Sequence, residues 1–466
     1  MSGKFRLKCF IIVLALSSCA APSATARVGG AGGHSSSGSH SSSHYSSSSS
    51  YGHYSSSSSG GGGMGPGGAL AVLVITLVIA SPFIIVSRRK NRRKAMEQEI
   101  ADAMPAEQFP FPPGLDPEKI AAAFLAIQNA WQIQDLKQVR KWLSDGMYQR
   151  LTLQIKMMNA LKQKNILSNI RIKNIKVARL GISGNYEIAD VAIGFIMDDS
   201  FTSATLPQLD EKYKDDTAAE YWTFIKRIGS EQEKNLYDNA NCPNCGALFE
   251  TKMGEISRCS NCNTLTNNAT YDWILSEITQ GEDYDENEPD YRDLVTSLQN
   301  DPFFAVQCVE DIASNIFMQV MNVLSGADPI HLSRFADAHV VEEIMLMRQA
   351  QGPVLFDRLF LNDVTLNNYT AGSDITIMEF GLTVTYRRID GTGQMRLLDA
   401  QMVTSDCTLY LARATRFKIS DKETVFSFEC SSCGAPYKDT TTDVCEYCGA
   451  PVLNKDVNWV LVKFDI

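Results

Sequence analysis

Histidine is scarce in this chain. Only six occur in 466 residues, and four of them (His34, His40, His44 and His53) fall in one Ser/Gly tract, leaving His331 and His339 for the rest. Histidine is the side chain whose ordinary pKa suits proton transfer near neutrality. Its absence from the segment between the tract and residue 300 removes the commonest acid–base catalyst there. Positive charge is also short: 43 Lys and Arg against 53 Asp and Glu give a net charge of -10. That balance supplies no electrostatic footprint for nucleic acid. Long apolar runs are missing except for one, Ala69 to Val86. Of twelve cysteines, Cys9, Cys19, Cys308 and Cys407 stand alone without a pairing pattern, which argues against a disulfide framework and for a reducing compartment. The length exceeds what one core serves, so two or three domains are expected.

What is present is a twice-repeated cysteine pattern. Cys242-Pro-Asn-Cys245-Gly246 is followed by Cys259-Ser-Asn-Cys262, and Cys430-Ser-Ser-Cys433-Gly434 by Cys445-Glu-Tyr-Cys448-Gly449. Two residues between cysteines let a tight knuckle aim both sulfurs at one ion, and paired knuckles make a four-thiolate zinc site. Gly246, Gly434, Gly449 and Asn263 follow their knuckles, where left-handed backbone is expected. Four thiolates fill a tetrahedral shell, so two structural zinc ions are predicted, with no position left for substrate. Paired disulfides or free thiols are the competing readings.

The N-terminus reads as a secretion signal over 1–26, with Lys4, Arg6 and Lys8 before a short apolar run. Two cleavage readings stand. Ala24-Thr25-Ala26 is a small-x-small site, and Leu16-Ser17-Ser18-Cys19 resembles a lipoprotein box that would put a lipid on Cys19. Residues 27–68 are Gly, Ser, His and Tyr with almost no aliphatic side chain, the composition of a flexible tether. Residues 69–87 suffice for one transmembrane helix. The cluster Arg88, Arg89, Lys90, Arg92, Arg93 and Lys94 follows at once. It fixes that side in the cytoplasm and can contact anionic headgroups. The expected layout is an outside tail, one span, a basic collar and Pro-rich linker over 88–114, and everything later inside.

Asp116-Pro117-Glu118 is a helix start, and Ile120, Phe124, Ile127 and Trp131 line one helix face. A short helix from Asp135 and a third capped by Ser144 follow. After Leu167 the period becomes two: Val191, Ile193, Phe195 and Met197 alternate with their neighbours, and Trp222 with Phe224. The first cysteine pattern then precedes a closing strand from Trp273. An acidic linker, 281–298, is expected to be exposed. The order then recurs: helices through Val309 to Val320 and Val340 to Met347, strands, the second pattern, and a closing strand from Trp459. Helices followed by antiparallel strands predict an α+β fold, duplicated over 115–280 and 299–466.

Phe124-Leu-Ala-Ile-Gln-Asn-Ala-Trp-Gln-Ile-Gln-Asp-Leu136, with Val139-Arg140, Tyr148-Gln-Arg-Leu151 and Tyr221-Trp-Thr-Phe224, carries a family resemblance. The chain resembles bacterial, zinc-ribbon-bearing relatives of the C-terminal domain of translocase-of-inner-membrane subunit forty-four, the mitochondrial import-motor scaffold. The resemblance implies a cone-shaped fold like nuclear transport factor two, an apolar pocket between helices and curved sheet, membrane association, and a scaffold or transport role at the bacterial inner membrane. It covers 115–278 well and 300–466 less, and inserted ribbons depart from the mitochondrial pattern.

The expected function is therefore a single-pass scaffold binding protein partners or lipid at the cytoplasmic face, with no catalytic residue. The alternative is a small-molecule-binding protein or enzyme of the cone fold. Asp190, an acid among apolar strand residues, is its best candidate. Nucleic-acid binding ranks last, since Asp439 and Asp443 face only Lys438 in the second cysteine gap.

Overall fold

A computed structural model describes residues 24–27, 30–33, 92–230, 234–249, 257–285, 294, 298, 301, 304–415, 430, 432–433, 435, 437 and 444–466. The predicted span at 69–87, most of the tether, the greater part of the signal and Cys19 lie outside these residues. Among the described residues no helix is long and apolar enough to cross a membrane. Within the expected signal and tether, Ala24–Arg27 (β1) and Gly30–Gly33 (β2) pair as an antiparallel hairpin lying beside later strands. Composition alone had predicted no structure there.

The first half begins with helix α1 (92–102), where a Pro-rich linker was expected. The prolines start only at Pro105, one turn too late to break it. Helix α2 (Pro117–Gln132) starts as expected, with Asp116 accepting from Lys119 N and Pro117 in the first turn. The expected second helix shrinks to a 3-10 turn, Arg140–Trp142, and Ser144 caps α3 (Asp145–Ala160) through Met147 N. Strands β3 (Gln163–Ser183), β4 (Tyr186–Ser203), β5 (Glu211–Arg227) and β6 (Ile274–Gln280) form an antiparallel meander in chain order.

Val191, Ile193, Phe195 and Met197 of β4 face the helices, and all four are fully buried. The other face of β4 is also covered, because Ile100 of α1 and Met104 just past its end pack on Ala192 and Ile196. A Cβ at Gly194 would meet Ile100 at 2.4 Å, so glycine is what lets α1 lie this close.

The second half holds α4 (Val306–Leu324), the short α5 (Ile330–Ser333) and α6 (Ala338–Gln351). A five-stranded sheet follows, β7 (Val354–Ala371), β8 (Ile375–Asp390), β10 (Val403–Ala414) and β11 (Val460–Asp465), with the two-residue β9 (Arg396–Leu397) against β8. The acidic linker does not float free as expected. Tyr284 stacks on Tyr221 at 3.8 Å, Asn362 donates to Asp283, and Leu294 and Leu298 enter the second core. One aromatic and two leucines outweigh the charge around them.

The halves share a detailed geometry. Leu143, just before α3, bridges in parallel to Leu275 of β6, and Ala336, just before α6, bridges likewise to Leu461 of β11. Ser144 N donates to Leu275 O and Asp337 N to Leu461 O, both at 2.9 Å. Aligned on these bridges without gaps, Ile120, Phe124, Ile127, Met147 and Leu151 fall on Ala313, Phe317, Val320, Val340 and Ile344, and all ten are buried. In the sheets, Ile225 pairs with Ile274 and Ala412 with Val460. One step further on, Lys226 lies over the ring of Trp273 at 5.8 Å and Arg413 over Trp459 at 4.5 Å.

Candidate metal centres and the junction that carries them

Each cysteine cluster sits where its chain leaves one strand and must return as the closing strand beside it. In the first, Cys242 N donates to Ala247 O and Gly246 N to Cys242 O. Cys259 N donates to Thr264 O and Asn263 N to Cys259 O. The second repeats the pattern, Cys430 N to Ala435 O and Cys445 N to Ala450 O. Gly246, Asn263 and Gly449 take the left-handed backbone that closes these knuckles, as their sequence positions predicted. Gly434 lies outside the described residues.

The knuckles bring Cys242, Cys245, Cys259 and Cys262 together, and separately Cys430, Cys433, Cys445 and Cys448, with each set's sulfurs within 4.8 Å of one another. Sγ of Cys242 is 3.7 Å from that of Cys262, and Cys245 is 3.7 Å from Cys259. In the second set the corresponding distances are 3.5 Å and 3.7 Å. These are nearly twice a disulfide bond of about 2.05 Å. They match the edge, about 3.8 Å, of a tetrahedron built on metal–sulfur bonds of about 2.3 Å. Both donor sets therefore fit a four-coordinate ion with soft ligands.

Side-chain amides support the charged sulfurs, since Asn261 Nδ2 donates to Cys245 Sγ at 3.4 Å and Asn244 Nδ2 reaches Cys262 Sγ at 3.7 Å. Asn261 thereby lowers the Cys245 thiol, and Thr264 lowers that of Cys262. Burial raises the Cys242 thiol, so binding an ion here would release a proton.

The first cluster is seated on its half by many contacts. Tyr237 stacks on the buried Trp142 at 4.5 Å. Lys119 of α2 bonds Asp272 at 2.8 Å, and Asp272 in turn accepts from Leu236 N and Trp273 N. Asn267 donates to Asp145, and the Ser257 hydroxyl reaches Arg140 O. The second cluster has a small core of its own, Cys430, Tyr437, Cys445 and Val452. Arg334 lies over Tyr437 at 5.6 Å, and Lys455 pairs with Asp337 at the start of α6.

Between the halves lies a buried polar junction that no sequence pattern announced. Asp311 of α4 accepts from Ser144 Oγ at 2.5 Å and from Gly146 N at 3.0 Å, so a carboxyl of the second half caps a helix of the first. Burial raises its pKa to about 7. Arg150 bonds Ser314 and Glu277, and Gln154 donates to Leu359 O. Leu153 and Met157 of α3 belong to the second core, while Ala305 and Phe360 belong to the first.

The expected apolar pocket between helices and first sheet is filled. Phe124 lies 4.9 Å from Phe195 and 5.6 Å from Trp222, and Trp131 and Phe224 are buried beside them. Asp190 is buried, but on the opposite face of the sheet. Arg179 donates to it at 2.6 Å and Tyr284 at 3.0 Å. It borders a crevice of about 200 Å³ shared with Glu277, Asp283, Glu310 and Asp363, so its surroundings are acidic rather than apolar. His339 lies against Val462 O.

Comparison with known proteins gives three results. Residues 116–235, from α2 to the approach of the first cysteine cluster, match the family model of the Tim44-like domain. No curated protein matches. A solved structure described as an "Ntf2 like protein involved in plasmid conjugation" is 9% identical, with a TM-score of 0.12, over 59% of this chain and 88% of that one. That likeness is too slight to argue from. The family match agrees with the sequence resemblance for the helices and long strands of the first half.

Proposed function

We propose that this chain is a membrane-anchored scaffold in which two Tim44-like units, each closed by a structural zinc ion, are held as one body at the cytoplasmic face of a bacterial inner membrane. The observation that carries this reading is the seat of α1. This helix begins within the basic collar, at Arg92, and Ile100 together with Met104 just past its end fix it to the first sheet. A membrane-proximal segment packed this way transmits position and force to the domains instead of letting them swing. The Tim44-like match adds the association with protein translocation that the family's name carries, so protein partners, or lipid at the membrane face, are the expected ligands. The metal ligands would be Cys242, Cys245, Cys259 and Cys262, and Cys430, Cys433, Cys445 and Cys448. A filled thiolate shell supplies folding energy, not a reactive water. Catalysis forms no part of this reading, since Asp190 is ion-paired with Arg179 and lies outside the helix–sheet space.

One relation counts against the topology. The hairpin β1–β2 lies beside β4, β6 and β7, which a single crossing at 69–87 would place on the other side of the membrane. Thiol labelling of a cysteine introduced at Gly30 in sealed vesicles decides between them. Labelling from the outside supports the span, and protection together with residues past 95 overturns it. The scaffold itself is tested by crosslinking in membranes followed by gentle extraction. Recovery of neither partner nor lipid, with the chain free in solution, would defeat it.

A further inference from the structure

The junction between the halves is head-to-tail: it joins the outer face of α3 to the outer face of α4. Under the alignment described above, α3 corresponds to α6 and α2 to α4. Among the described residues the chain therefore uses each kind of face once and leaves one of each uncovered, on α6 and on α2. Burial records this directly. Leu153 on α3 is 5% exposed, and its counterpart Leu346 on α6 is 63% exposed. Met318 on α4 is 1% exposed, and its counterpart Leu125 on α2 is 48% exposed.

The bare faces are suited to contact. Along α2 the solvent side carries Ala122, Leu125, Ala126 and, just past the helix end, Ile133 at 51% exposure, with Glu118 as its charge. Small residues beside one leucine let another helix approach closely. On α6, Val341, Met345 and Leu346 line an open groove of about 760 Å³ that runs to Leu324 and Pro353.

We propose that the α6 groove of one chain receives the α2 face of a second copy, repeating between molecules the α3–α4 contact made within each. In that register Leu346 meets Leu125, as Leu153 meets the face bearing Met318. Gln349 faces Asn129, where Lys156 donates to Asn322 inside the chain. At the helix start the chemistry changes. Glu118 stands where Asp311 does, and His339 where Gly146 does, so a carboxylate meets an imidazole instead of a bare amide. A Cβ at Gly146 would lie 2.3 Å from both the backbone O and Oδ1 of Asp311, so His339 must hold the helix starts farther apart than in the internal contact, which makes the contact between copies looser and weaker. Repeated head to tail, the contact closes into a ring, of two chains or more, if the rotation between units permits, and otherwise continues as a row.

The test uses the full chain in native membranes, with a photo-activated benzophenone side chain at position 346 and a mixture of isotopically light and heavy copies. Adducts joining light to heavy chains, with the attachment mapped to residues 118–133, are expected. Leu125→Asp should reduce them by about tenfold or more, as loss of a central apolar anchor does. Its side chain is half in solvent, so the melting temperature should stay at the wild-type value; Ala122→Glu serves as a second variant should it fall. Adducts only with other proteins, adducts from α6 to α6, or no adduct at all overturn the proposal.

Discussion

The two cysteine clusters solve one problem by different means. Both bring a chain out of a sheet and return it as the last strand. The first leans on its domain through Trp142 and Tyr237, Lys119 and Asp272, and Asn267 and Asp145. Among the described residues, the second gathers Tyr437 and Val452 around its own sulfurs and meets its half through Arg334, Lys455 and the backbone of Ala414. Where the contacts lie decides how far damage spreads. Loss of the proposed ion from the first cluster is expected to reach α2, the 3-10 turn and the start of α3, and loss from the second to stay nearer its own loop.

Four experiments sharpen or break this contrast. The largest effect is expected from removing metal ligands, with Cys259→Ser lowering the melting temperature more than Cys445→Ser. About 5 kcal/mol or more at the first cluster corresponds to roughly 10–20 °C, and the second should show less than half of that. Equal shifts, or metal analysis finding no bound zinc in the wild type, would erase the distinction. Next, Trp142→Ala removes both the stacking partner of Tyr237 and a buried core ring, at about 3–5 kcal/mol. Limited proteolysis should then cut first near residues 231–256.

Gly146→Ala tests the junction rather than a cluster. Its methyl would press on Asp311 and cost about 1–3 kcal/mol, so urea unfolding should change from one transition to two. The smallest effect is a pH dependence. Asp311 in the folded chain holds its proton up to about pH 7, well above the ordinary carboxylate range. The folded state thus binds the proton more tightly than the unfolded one, and this contribution to stability declines as pH rises from about 4 through 7. The wild type should therefore gain stability relative to Asp311→Asn as pH falls from 8 to 6. A difference that stays flat across that range would show that the carboxyl is charged throughout.

The legible parts were those with a short-range physical cause. Four cysteines at two-residue spacing announce a cluster because a knuckle is local, and the residues after Cys245, Cys262 and Cys448 announce its left-handed turns. The alternation from Val191 to Met197 announces a strand because its helix-facing side is apolar throughout. The illegible parts depend on what arrives from far away. Nothing near Gly194 says that Ile100 will rest on it, and nothing near Asp311 says that Ser144 will be its partner. Tyr284 lies in an acidic stretch and takes its place only because Tyr221 and Asp190 are there to receive it. The filled pocket was hidden for the same reason, since which rings meet across a cone depends on its curvature.

The closing strands β6 and β11 can join their sheets only after a cysteine loop has brought the chain back. Until then β5 presents unpaired amides and carbonyls from Glu220 to Ile225, a surface to which any other extended peptide can add. If the clusters take the proposed ion, newly made chains in a cell starved of it would stall at that stage, sticky and open to proteases. Abundance of the finished protein would then follow the supply of a trace nutrient, with no sensor or regulator required.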